Sequence, residues 1–142
     1  MHTVGKLLTL TLLAALVPGL PNPTSADGDE RREWRISPRK AKSQNPVPVD
    51  THSLARGEEI YLAECESCHG PTARGDGPEA SDLDVLVPDL TIDAAMAEPD
   101  GSLFWKLTIG RKPMPSYRKL LSKEERWDVV NFLRMVQSSA LP

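Results

Sequence analysis

Apolar positions in the last part of the chain repeat with the period of a helix. Trp127, Val130, Leu133 and Val136 form one stripe, flanked by Val129 and Phe132. Ser122 and Glu125 before it have the spacing of a capping box, which predicts a helix from about Lys123 to Gln137. Upstream, Leu54, Gly57, Glu58, Tyr61, Leu62 and Cys65 recur at intervals of three and four, predicting one helix from about Ser53 to Cys68. Gly70, Pro71, Gly75, Gly77 and Pro78 then break the chain into a loop that lasts to Pro88. A short helix is expected over Thr91 to Ala97, ended by Pro99. Asp100-Gly101-Ser102 offers a cap for another, with Phe104, Leu107 and Ile109 facing the core and Gly110 terminating it. No segment alternates with period two for long enough to argue for a sheet, and no internal repeat is visible, so the fold class is all-α.

The beginning of the chain has a different character. Lys6, an apolar run from Leu7 to Val17, and Thr24-Ser25-Ala26 have the layout of a secretory signal peptide over residues 1–26. The apolar run has eleven residues, whereas a bilayer-spanning helix needs about 20. Residues 27–50 mix acidic and basic side chains and close on Asn45-Pro46-Val47-Pro48, which reads as an extended, proline-containing arm or linker. Trp34 and Ile36 are its bulky apolar residues before Val47; either the arm is solvated or it lies against the domain or a partner. Residues 51–142 make one small domain.

The chain has 142 residues, a net charge of −3, two cysteines and three histidines. Its chemistry is concentrated in Cys65-Glu66-Ser67-Cys68-His69, followed at once by Gly70. C-x-x-C-H is the attachment signature of a c-type haem. On a helix, residues three apart share a face, so the two thiols point together toward two vinyl groups of one porphyrin edge. His69 then reaches the iron as proximal ligand, and Gly70 lets the chain turn away. With Cys65 and Cys68 committed to haem, no disulfide is left to staple the domain, and the porphyrin supplies apolar core instead. A zinc site would need four ligands, and beyond the two cysteines only His52 and His69 lie outside the leader. A thioredoxin-like dithiol would need a βαβ context that these residues do not provide.

A low-spin haem iron needs a sixth ligand, and a thioether stabilises the ferrous state. Met114 is the candidate, because Pro113 and Pro115 stiffen its loop and leave little entropy to lose on ligation. Met96 and Met135 fall on predicted helices, where a methionine is core filler. His52 is the alternative sixth ligand, but it lies a whole helix away from the cysteines.

With these residues in place, the chain from about Leu54 to Val136 resembles the class I monohaem cytochromes c. The likeness rests on Cys65-Glu66-Ser67-Cys68-His69-Gly70, Gly75-Asp76-Gly77-Pro78, Pro113-Met114-Pro115-Ser116-Tyr117 and Trp127-Asp128-Val129-Val130-Asn131-Phe132-Leu133. It implies a cytochrome c fold in which the first and last helices cross and short helices and loops wrap one covalently bound haem c with its iron. It also implies that the Pro78 carbonyl accepts a hydrogen bond from the His69 imidazole. Gly57 and Tyr61 are implied to lie at the helix crossing, with Val129 and Phe132 opposite. The implied function is single-electron transfer between redox-partner proteins on the periplasmic side, as a soluble carrier or a subunit of a larger complex, and not enzyme catalysis. A ligand-binding haem enzyme or sensor with a labile or absent sixth ligand is the alternative.

Charge departs from the strongly basic mitochondrial type. Residues 51–142 carry ten basic and fifteen acidic side chains, a net of −5. Arg111, Lys112, Arg118 and Lys119 nevertheless surround Met114 and suit docking on an acidic partner surface. No basic stripe with interleaved aromatics suggests nucleic acid, and membrane contact is expected only through a partner complex or an uncleaved N-terminus.

Overall fold

The computed structural model describes residues 34–140; the expected signal peptide and the first residues of the arm lie outside them. The described elements are helices α1 (Pro38–Ala41), α2 (Thr51–Glu64), α3 (Glu66–His69), α4 (Asp93–Met96), α5 (Asp100–Ile109) and α6 (Lys123–Ser139), with a single 3-10 turn at Ala80–Asp82. Among the described residues there is no strand, only an isolated bridge between Arg111 and Met114. The fold is all-α, as the periodicity predicts.

The crossing of α2 on α6 organises the molecule. Gly57 allows it. A Cβ there would stand 2.2 Å from the Asp128 carbonyl oxygen and 2.8 Å from Phe132 Cβ, so the α6 backbone lies directly over the glycine. The atoms nearest Gly57 thus belong to Phe132, as the likeness implies, and to the backbone of Asp128. One turn on, the rings of Tyr61 and Phe132 meet at 5.3 Å. Phe104 of α5 stacks on Trp127 of α6 at 4.2 Å, and Leu103, Val130 and Leu133 complete the core.

Polar groups fix the register of the crossing. Asp50 caps α2 by accepting from the Ser53 N–H at 2.8 Å. Ser53 Oγ donates to Asp128 Oδ1 at 2.7 Å, and Arg56 Nε donates to Asp128 Oδ2 at 2.9 Å. Asn131 Nδ2 donates to Ser53 Oγ at 2.8 Å. Ser53, Asp128 and Asn131 are all buried, and their mutual bonds satisfy what burial would otherwise leave unpaired. At the start of α6 the capping box forms: Glu125 N–H donates to Ser122 Oγ at 3.1 Å and Ser122 N–H donates to Glu125 Oε2 at 2.7 Å.

Several local expectations are corrected. Pro99, not Asp100, occupies the N-cap of α5, and the Asp100 carboxylate accepts from Arg134 Nε at 2.7 Å instead. Ile109 is exposed, because Gly110 already turns the chain away there; Gly101, Ser102, Leu103, Phe104 and Thr108 are the buried residues of α5. Of the alternatives open to the arm, residues 34–50 take the one against the domain: they contain the short helix α1 and lie along α5 and α6. Trp105 Nε1 donates to Ser43 Oγ at 3.0 Å, the Lys40 ammonium sits 4.3 Å from the Trp105 ring centroid, and Asn45 Nδ2 donates to Asn131 Oδ1 at 2.7 Å.

Candidate haem site

The predicted single helix from Ser53 to Cys68 is broken in two. Cys65 takes φ −122° and ψ −35°, which ends α2 at Glu64 and starts α3 at Glu66. Hydrogen bonding explains how the break is tolerated. Cys65 N–H still reaches the Tyr61 carbonyl at 2.9 Å, while the N–H groups of Cys68 and His69 both go to the Cys65 carbonyl, at 3.2 and 2.9 Å. In a continuous helix the Glu64 carbonyl would take the Cys68 N–H. Here it accepts from the Tyr117 hydroxyl at 2.8 Å instead.

Cys65, Cys68 and His69 thus sit on one short turn, closed by Gly70 at φ +76°, a value that favours glycine. The Tyr61 hydroxyl donates to the Gly70 carbonyl at 2.7 Å, so a tyrosine holds each end of the segment. The loop after Gly70 returns to cover the α3 carbonyls. Gly75 N–H bonds to His69 O at 2.8 Å, Gly77 N–H to Cys68 O at 3.2 Å, and Glu79 N–H to Ser67 O at 2.8 Å.

Both thiols are free. Burial pushes the Cys65 thiol up to about 12, with the charges of Glu64 and Cys68 adding to it. Reactive dithiol motifs need a lowered thiol pKa, so the shift runs against the dithiol reading. Burial also depresses the His69 imidazole and keeps it neutral near pH 7, the form that ligates iron. Its Nδ1 is buried and has no hydrogen-bond partner. The bond to the Pro78 carbonyl implied by the family likeness is therefore not made here. Gly77 and Glu79, either side of Pro78, are nonetheless bonded to α3. No group of three or more His, Cys, Asp or Glu side chains able to hold a bare metal ion forms among the described residues.

Met114 is partly buried in the loop between α5 and α6. Arg111 N–H bonds to the Met114 carbonyl at 3.0 Å and closes a tight turn. Tyr117 N–H reaches Leu107 O at 3.0 Å, and Ser116 Oγ reaches Thr108 O at 2.8 Å, so the loop is fastened to the end of α5. Buried Arg126 of α6 donates through Nη1 to the carbonyls of Arg118 and Leu121 at 3.2 and 3.0 Å. His52 is exposed in the first turn of α2, and Met135 is exposed on α6. The sequence reading did not single out Tyr61, Tyr117 or Arg126 as site-builders. Tyr61 carried a usable signal, being one helical turn before Cys65; the roles of the other two depend on contacts distant in the chain.

The donor set fits a covalently bound haem: two free thiols on one turn, a neutral imidazole next to them, and a thioether on an anchored loop. Fold and site together define a class I monohaem c-type cytochrome. Residues 52–133 match the family described as cytochrome C oxidase, cbb3-type, subunit III, and the chain belongs to that family. Membership brings one covalently bound haem c with its iron and a part in electron transfer. Among solved structures, a chain of the reducing HAO-like protein complex of Kuenenia stuttgartiensis is similar, with 29% identity, a TM-score of 0.59, and coverage of 64% of this chain and 46% of that one. Cytochrome CL from the marine methylotroph Methylophaga aminisulfidivorans is 24% identical with a TM-score of 0.48, covering 61% of this chain and 56% of its own. This chain therefore spans about half the length of those it matches. A comparison with curated proteins finds no match.

Proposed function

We propose that this chain is an exported, periplasmic monohaem electron carrier, or the cytochrome subunit of a larger redox complex, and not itself an enzyme. The observation that carries the reading is the broken helix at Cys65, which sets two thiols and a neutral imidazole on one turn. Cys65 and Cys68 form the two thioethers, His69 is the proximal iron ligand and Met114 the distal one. The Pro78 carbonyl, kept beside α3 by its neighbours, would accept a hydrogen bond from the His69 Nδ1–H in the haem-loaded protein. When bound, the haem supplies single-electron Fe(II)/Fe(III) cycling. His69 and Met114 would hold the iron through both states, so that no protein-free site is offered to a substrate.

Residues 1–26 are the leader, 27–50 an arm and 51–142 the cytochrome domain. No helix among the described residues is long and apolar enough to cross a membrane. The similar solved chain comes from a protein complex, which supports the subunit form of the reading. Donor and acceptor are redox proteins, and the exposed side chains of Lys112, Arg118 and Lys119 around Met114 favour an acidic docking surface. Electron-transfer rate with such a partner falls as salt is added; a rate indifferent to salt removes the docking argument. Carbon monoxide added to the ferrous protein tests the function. A carrier with both axial positions filled leaves its spectrum unchanged, whereas a stoichiometric carbonyl adduct makes the protein a ligand-binding haem enzyme or sensor.

A further inference from the structure

The distal loop is fastened to its own side of the molecule by α5 and Arg126, but Tyr117 ties it to the other side. Three residues after Met114, the Tyr117 ring is 3% exposed and its hydroxyl donates to the Glu64 carbonyl across 53 residues of chain. Glu64 immediately precedes Cys65, and its carbonyl is open to Tyr117 because the helix breaks there and the Cys68 N–H goes to Cys65 instead. Burial, with the charges of Cys65 and Glu64, raises the phenol far above its ordinary range, so it stays a proton donor at physiological pH. A helix break that orients the thiols thereby also creates the acceptor that anchors the loop bearing the methionine.

We propose that the Tyr117 hydroxyl is a positioning latch: by capping the Glu64 carbonyl it holds the distal loop against the Cys65–His69 turn and sets how readily Met114 leaves the iron. The inference rests on Met114 being the sixth ligand. When the latch is lost, the methionine-off population grows, and an outside ligand that competes for the iron binds more tightly in proportion.

Tyr117→Phe keeps the ring and removes only the hydroxyl. The matured ferric protein is titrated with imidazole, following the weak ferric band that reports the methionine–iron bond. The expected result is an apparent imidazole affinity about fivefold higher than wild type, the factor that corresponds to one ordinary hydrogen bond. Ser53→Ala is the control for general loosening, since it breaks a buried hydrogen bond at the helix crossing without touching the loop. It lowers the denaturation midpoint but leaves imidazole affinity within twofold of wild type. An unchanged affinity in Tyr117→Phe, or an equal rise in Ser53→Ala, overturns the latch while Met114 ligation stands. A wild-type protein without the ferric band overturns both.

Discussion

Gly57→Ala is the substitution whose sign is most informative, because two well-understood effects oppose each other. In an exposed helix interior alanine would gain about 1 kcal/mol over glycine. Here the new methyl would stand 2.2 Å from the Asp128 carbonyl oxygen, 2.7 Å from its carbon and 2.8 Å from Phe132 Cβ. Comfortable contact between carbon atoms needs about 3.5 Å, so α2 and α6 must part by roughly an ångström. The obstacle is backbone and cannot swing aside, which puts the overpacking cost near the top of its usual range, about 3 kcal/mol. Parting the helices also stretches the Ser53–Asp128 bond. The net loss is about 2 kcal/mol, which for a domain of this size lowers the melting temperature by about 8–16 °C. Thermal unfolding of the matured protein, followed by far-ultraviolet circular dichroism and haem absorbance together, measures it. An unchanged or raised melting temperature would refute the close crossing.

Asn131→Ala removes the bridge among Asn45, Ser53 and α6; it costs about 2 kcal/mol in chemical denaturation and speeds proteolysis within residues 34–50, whereas unchanged protection of that segment would show that it is held by other contacts. Glu125 has its carboxyl held below the usual range by the Ser122 N–H. Because the folded-state value is depressed, its stabilising effect is present above the unfolded-state value and disappears as pH falls through the folded one. Glu125→Gln is therefore less stable than wild type at neutral pH, and the two denaturation midpoints converge in acid; a gap that persists at low pH would remove the charge from the cap. Cys65→Ala leaves one thioether, so the pyridine haemochrome band shifts from the two-thioether position; a band unmoved from wild type would exclude Cys65 from attachment.

The elements legible in the sequence are those specified locally. The capping box and apolar stripe of α6 contain their own partners within a turn or two, and C-x-x-C-H names its chemistry through spacing alone. The break at Cys65 was not legible, because the apolar pattern runs unbroken through it. The carbonyl it frees on Glu64 is taken by the Tyr117 hydroxyl, which is supplied 53 residues away. The same is true of residues 34–50: their composition resembles a linker, yet Lys40, Ser43 and Asn45 find partners on Trp105 and Asn131 that no local pattern announces. Asp100 had the residue type of a cap, but Arg134 of α6 takes its carboxylate.

The visible spectrum of the matured protein, oxidised and reduced, and of its Met114→Ala variant, tests the central claim most directly. The account predicts a c-type pyridine haemochrome, a sharp low-spin reduced α-band, and a weak ferric methionine–iron band that vanishes in the variant. A high-spin wild-type spectrum, or a ferric band that survives Met114→Ala, would contradict it.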